Sequence, residues 1–371
     1  MWVRRGILAG LGLLIPIVAV LLSLATVALL IRASGSDPIA AYGSMINAAF
    51  GNQFSLSTTL VKTIPRLLAA LGIALALRAG LWNIGAEGQM YVGATGATAV
   101  ALFGPHLPFP FGAIVAMSVG MLAGALWAAI PGVLRATRGI SEVITSLMLV
   151  YVAIQLTNYL VEGPWLIAGS TFPESDVIPI GATLPVVWSG TLLHAGAIVA
   201  VLAVIVAWII MDRTTFGLRL RALGGNERAA HFLGVRIPLM IVLAMALSGA
   251  FAGLAGSIEV LGVRGRLVES FSPGYGFDAI AIALLGRLQP ASIVPAALLF
   301  GALDAGGAGL ETAAIGVSSS IVQITEGLVV VYVLIGIGIV QIMNRRRRAR
   351  DVLAAAQRIE EMSASQAVTP Q

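Results

Sequence analysis

The chain has 371 residues, of which 58% are hydrophobic and only 11% charged, with no cysteine, three histidines and a net charge of +5. Soluble proteins run at about 45–50% apolar and about 25% charged, so a soluble globular enzyme is excluded, and the apolar fraction is too high for disorder. Disulfides, thiolate metal sites and cysteine nucleophiles are excluded outright, and His106, His194 and His231 are too far apart in sequence for a zinc motif.

What composition leaves is an all-α polytopic membrane protein in membrane lipid, with no nucleic acid partner, no metal and no cofactor expected. A transmembrane helix needs about 20 mostly apolar residues. On that measure the expected spans fall at 7–31, 62–78, 81–103, 111–134, 142–161, 191–211, 238–261, 277–288, 291–310 and 320–343, about ten in all. The first is too long for the apolar core of a signal peptide and is read as an uncleaved helix. An outer segment 32–61 follows it, giving a first region 1–61, a transmembrane body 62–343 and a basic tail 344–371.

The second break in the pattern, Trp82-Asn83-Ile84-Gly85-Ala86-Glu87-Gly88-Gln89, weakens a helix at two glycines and offers Asn83 as the cap of a half-helix starting inside the membrane. Its counterpart later in the chain is Ser272-Pro273-Gly274-Tyr275-Gly276-Phe277-Asp278. Broken helices line cavities because their freed backbone groups need partners, and two breaks in matching places point to a central pathway. Four spans over 62–161 and four over 238–343 would then enter from opposite sides, as two inverted four-helix repeats. The short span 277–288 is expected to begin in a re-entrant stretch near Val268.

Basic residues set the orientation. With ten spans and both termini cytoplasmic, only Arg32, Lys62, Arg66, Arg264 and Arg266 lie outside, which is the bias the positive-inside rule demands. Buried acids are the remaining polar signal: Glu87, Glu142, Glu259, Asp278, Asp304 and Glu326 fall in expected spans. Each is costly there and faces a cavity, a partner or an interface. Glu142 is close enough to Arg135 and Arg138 to meet one of them. No lysine or arginine is expected at mid-span, which argues for a neutral, hydroxyl- and amide-rich ligand rather than an anion. The candidate pathway residues are Asn83, Glu87, Gln89, Tyr275, Phe277 and Asp278. For the first three, interhelical hydrogen bonding is the competing role. For the aromatics, stacking on a nucleobase competes with a place in the interfacial belt. Gly120, Gly124, Gly249, Gly253 and Gly256 suit close helix packing, within the chain or between two chains.

No Walker A loop is present, the single lysine Lys62 lacking any glycine ahead of it, and no G-x-S-x-G elbow occurs. Active transport by this chain therefore draws on an ion gradient or on another subunit. The cytoplasmic loop 212–237 speaks to that choice. Asn226 is placed to cap a short helix, Ala229, Ala230, Phe232 and Leu233 give it an apolar side, and Gly234 ends it two residues after Phe232. A short capped helix flanked by arginines suits a knob in a partner's groove, though arginines alone fit any cytoplasmic loop.

That loop resembles the coupling loop of ABC importer permeases in the branched-chain amino acid, ribose and nucleoside division. Beyond the loop, Leu81–Met90 resembles the family's signature after the second helix, and Gly139–Met148, Leu247–Gly256 and Gly274–Gly286 resemble further blocks of the family, in its order. The Asn-Ile-Gly-x-Glu-Gly-Gln and Gly-Tyr-Gly-Phe-Asp forms most resemble the nucleoside or simple-sugar importers. The resemblance implies a transport subunit in the bacterial inner membrane that is not itself an enzyme. It implies ABC ATP-binding subunits docked at Gly225, Asn226, Ala229, Ala230, Phe232, Leu233 and Gly234, a second permease chain, identical or homologous, and an extracytoplasmic substrate-binding protein. The rival expectation is a secondary transporter with Glu87 or Asp278 as a proton or cation relay.

Overall fold

The computed structural model describes residues 2–312 and 320–336, together with 338, 339 and 342. The tail 344–371 and the end of the last expected span lie outside the described residues. All the named elements are helical. In chain order they are α1 (Trp2–Ala33), α2 (Pro38–Phe50), α3 (Gln53–Arg78), α4 (Ala86–Phe103), α5 (Phe111–Arg138), α6 (Glu142–Glu162), α7 (Gly196–Trp208), α8 (Thr215–Gly225), α9 (Glu227–Phe232), α10 (Ile237–Ile258), α11 (Tyr275–Leu285) and α12 (Pro290–Thr312). A further helix, α13, covers Ser320–Gly336. Among the described residues six helices are long and apolar enough to cross a membrane: α3, α5, α6, α7 and α10 with the π-turns that extend the last two (Ile209–Arg213 and Glu259–Arg264), and α12. The described apolar parts of α1, α11 and α13 are shorter.

The chain divides into two compact units, residues 31–326 and residues 1–30 with 327–371. In the smaller unit the hydroxyls of Thr26 and Tyr332 share a hydrogen bond at 2.8 Å.

Two boundaries depart from expectation, and both matter. The segment 32–61 is not a plain outer connection. Asp37 caps α2 by accepting from the Ile39 N–H, with Pro38 in the first turn, and Asn52 caps α3 by accepting from Ser55 N–H at 2.8 Å. Polar Gln53, Ser55, Ser57, Thr58 and Thr59 hid this opening of α3 from a hydropathy reading. Lys62 and Arg66 consequently sit in the middle of a 26-residue helix, not outside it. Second, the expected span 81–103 starts only at Ala86. Gly80, at φ +77°, ends α3 in a Schellman turn in which Gly80 N–H donates to Leu77 O and Leu81 N–H to Ala76 O. Residues 79–85 are then free to run inside the protein without helix.

The core is a contact between backbones. Where α10 crosses α5 and α4, a Cβ on Gly253 would run into the Gly120 carbonyl, one on Gly249 into the Gly124 carbonyl, and one on Gly256 into the Met90 carbonyl. The glycine stripes are thus used within the chain, where absent side chains bring helix backbones into van der Waals reach. Gly253→Val is expected to cost at least the 1–3 kcal/mol typical of overpacking, roughly, because backbone cannot turn aside. The drop should be read as an earlier thermal aggregation midpoint of the solubilised protein.

The outer connection 163–195 lies against residues 261–268. Ser175 N–H donates to Leu267 O, Ile178 N–H to Gly265 O and Leu184 N–H to Leu261 O, and Arg266 pairs with Glu174. At the arginine-rich end, Glu142 meets Arg135 at 3.4 Å.

Candidate functional site

The polar face of α3 descends at helical spacing, Ser55, Thr58, Lys62, Arg66, from its outer end to its centre. Opposite it lies Asp304 on α12, with Asp278 on α11. Lys62 Nζ donates to Asp304 Oδ1 at 2.8 Å, Arg66 Nε to Asp278 Oδ2 at 2.9 Å, and Arg66 Nη2 lies 2.9 Å from Asp304 Oδ2. Arg66 Nη1 reaches back to its own helix at Lys62 O, 3.0 Å, and the guanidinium stands 4.4 Å over the Tyr275 ring. The side chain is only 3% exposed. A charge so placed survives only if its donors are matched, and the planar fork here meets two carboxylates, a carbonyl and a π face. Beside this network is a cavity of about 250 Å³, lined also by Pro273, Gln323 and Glu326.

These cations correct the expectation that no counter-charge stands at mid-span. The two cations and two aspartates are paired with one another.

The other expected pathway residues lie apart from this cavity. Asn83 Nδ2 donates to Gln89 Oε1 and to Ser248 Oγ, each at 2.8 Å. Gln89 Nε2 returns a bond to Asn83 Oδ1 at 2.9 Å, which also accepts from Gly85 N–H. All three side chains are buried, and this doubly bonded amide pair holds the 79–85 segment against α10. Asn83 is not the cap of α4; Gly85 holds that position. Glu87 lies in the first turn of α4 and accepts from the Gly276 N–H of α11 at 2.6 Å. A Cβ on Gly276 would strike the Glu87 backbone, so the N-termini of the two half-helices abut. The carboxylate sits where both helix dipoles favour negative charge. Phe277 is exposed, Tyr275 is buried against Arg66, and Asp278 alone of the six lines the cavity. Sequence reasoning missed Lys62 and Arg66; the 55–58–62–66 spacing was the available signal.

The arginine-rich end carries a second construction. Thr214 caps α8 by accepting from Gly217 N–H, and Asn226 caps α9 by accepting from Ala229 N–H at 3.1 Å. Gly234, at φ +76°, closes α9 in a Schellman turn, its N–H donating to His231 O and that of Val235 to Ala230 O. Ala230 turns inward, while Phe232 and Leu233 are 89% and 75% exposed. The hairpin is fixed to α3: Arg78 Nη1 meets Asp212 Oδ1 at 2.6 Å, Arg221 meets the same oxygen at 3.2 Å, and Arg78 Nε donates to Leu288 O at 3.0 Å. Gly224 lies so close to the Arg78 carbonyl that a Cβ there would collide with it.

Residues 55–338 match the family described as branched-chain amino acid transport system / permease component. The chain is 38% identical to the glucose ABC transporter permease of Haloferax volcanii, over 89% of each chain. It is 35% identical to the guanosine ABC transporter permease of Bacillus subtilis, over 91% of this chain and 97% of that one. The nucleoside ABC transporter permease of Lactococcus lactis is 31% identical, over 91% and 94%. No solved structure matches. The gradient-driven alternative is not favoured by this kinship, and the two acids it relied on are bonded to Gly276 and Arg66. Chain, helices and hairpin agree: this protein belongs to the branched-chain amino acid transport system permease family and is the membrane-embedded permease subunit of an ABC importer.

Proposed function

We propose that the chain moves a nucleoside or related sugar-like solute inward past the α3–α12 face, driven by ATP hydrolysed on a separate subunit seated under α8 and α9. The observation that carries this reading is the attachment of the capped hairpin to the inner end of α3 through Arg78, Asp212 and Gly224. The same helix bears Lys62 and Arg66 at its centre. A push on Phe232 and Leu233 is thereby delivered to the helix that holds the buried ion pairs. An extracytoplasmic binding protein would present the solute at the outer loops, and a second permease chain, identical or homologous, would complete the pathway. The names of the relatives supply the solute class, and the paired charges favour a solute without net charge.

Two inverted repeats, α3–α6 and α10–α13 within a permease domain 62–343, account for the packing. The first helix of each half lies against the second and third of the other: α3 on α11 and α12, α10 on α4 and α5. The half-helices α4 and α11 follow a break in each case and meet at their N-termini. Both chain ends would then face the ATP-binding side.

Changing both Phe232 and Leu233 to Asp is expected to abolish ATP-driven uptake of labelled nucleoside or sugar in vesicles and to prevent co-purification of the ATP-binding subunit. Uptake that persisted at the wild-type rate under a proton or sodium gradient, with no nucleotide present, would overturn the reading.

A further inference from the structure

The ion pairs of Lys62, Arg66, Asp278 and Asp304 do not take in every acid at the cavity. Glu326 on α13 lines the same cavity, its side chain is 9% exposed, and its Oε1 has no hydrogen-bond partner among the described residues. A buried oxygen without a donor is a costly exception, and its position on the cavity wall says what would relieve it: a donor brought in by the occupant. Around it stand groups of the opposite kind. Lys62 has three N–H bonds, one directed to Asp304, and Gln323 offers both an amide N–H and a carbonyl. A hydroxyl group needs both an acceptor for its proton and a donor for its oxygen. Neighbouring hydroxyls on a ring need several of each within a few ångströms. The ion pairs are fixed before anything arrives, and an arriving hydroxyl would find an acceptor at Glu326 and a donor at Lys62, one for each end of its O–H.

Size narrows the occupant. At about 250 Å³ the cavity lies just below the range of roughly 300–1,000 Å³ for drug-sized ligands, and it suits a single sugar ring. Ala308 lines both it and a wider cleft of about 550 Å³ bordered by Asn47, Asn52, Phe54 and Thr58. A bulkier substituent on the ring has room on that side.

Resting on the solute class argued above, we propose that this cavity holds the vicinal hydroxyls of a sugar ring, with Glu326 Oε1 accepting from one of them. Free sugars and nucleosides share that chemistry, and the test separates them. The assembled importer, with its ATP-binding subunit and binding protein, is reconstituted in liposomes. Uptake is measured for guanosine, its 2′-deoxy and 3′-deoxy forms, glucose and 2-deoxyglucose. Because one binding protein serves every arm, the ratio of parent to deoxy uptake, compared between permease variants, reports on the permease alone. Glu326→Leu is expected to reduce that ratio about tenfold for whichever hydroxyl Glu326 receives, the size of one charge-assisted hydrogen bond. Glu326→Gln keeps an acceptor oxygen and should fall between Leu and wild type. If the Leu variant does not co-purify with its partners, the Gln variant decides alone: a ratio reduced about threefold supports the assignment. Unchanged ratios with uptake intact overturn it. A wild-type importer that moves none of the five solutes but does move another refutes the solute class instead.

Discussion

Replacing Arg66 by methionine is expected to remove most of the protein from the membrane. The substitution leaves Asp278 without its partner and Asp304 with Lys62 alone, and the two aspartate side chains are only 20% and 24% exposed. Breaking a buried ion pair from one side costs about 3–5 kcal/mol, because the surviving charge is stranded. A membrane protein of ordinary stability does not tolerate that. Fluorescence-detected size exclusion of a tagged chain would show the monodisperse peak lost. Adding Asp278→Asn to the methionine variant should restore the peak, since Asp304 still pairs with Lys62 and no carboxylate is then left without a partner. Recovery of the peak without recovery of uptake would separate the structural role of the network from its place beside the pathway. Arg66→Lys tests the geometry separately. One ammonium cannot reach both aspartates and the Lys62 carbonyl in the planar arrangement seen here, so only partial recovery is expected.

Arg78→Ala is expected to leave ATP hydrolysis by the partner subunit running while uptake falls at least about tenfold. Arg78 ties the end of α3 to Asp212, to the Met211 carbonyl and to the Leu288 carbonyl before α12. Hydrogen bonds to charged groups contribute about 1.5–3 kcal/mol, enough for the hairpin to move without taking α3 along once they are gone. The diagnostic quantity is solute moved per ATP consumed in proteoliposomes. A fall in both rates by the same factor would mean that Arg78 holds the fold and does not transmit motion.

The hairpin was legible in the sequence because its signals are local. Asn226 and Ala229 are three residues apart, and Gly234 follows Phe232 by two, so cap and stop appear in one short window. The breaks at 79–85 and before Tyr275 were legible for the same reason. What closes on them was not. Arg66 finds Asp278 across 212 residues of sequence and Lys62 finds Asp304 across 242, and no pattern within one helix announces such a partner. Hydropathy made matters worse: the hydroxyl-bearing first turns of α3 lowered its apparent length and left both cations outside the membrane. Asn83 and Gln89 are the complementary case, with interhelical bonding and pathway lining both open from sequence. Polar residues at a break suggest a cavity, but here the two amides satisfy each other and Ser248. Their chemistry was readable and their neighbours were not.

The glycine crossing of α10 with α4 and α5 has a mechanical meaning. Where side chains meet, helices slide by changing rotamers, and a small shift is absorbed gradually. Where one backbone lies on another, nothing yields. The three helices therefore travel as one solid block. Beside the cavity, by contrast, α3 meets α11 and α12 through ion pairs between side chains. Charged contacts of that sort exchange partners without repacking a core. The backbone contact itself recurs where Gly72 of α3 meets the Ser248 carbonyl of α10 and Gly276 of α11 meets the Glu87 backbone of α4, so stiffness spreads beyond the crossing and the freedom left to the protein is that of the side chains around the cavity.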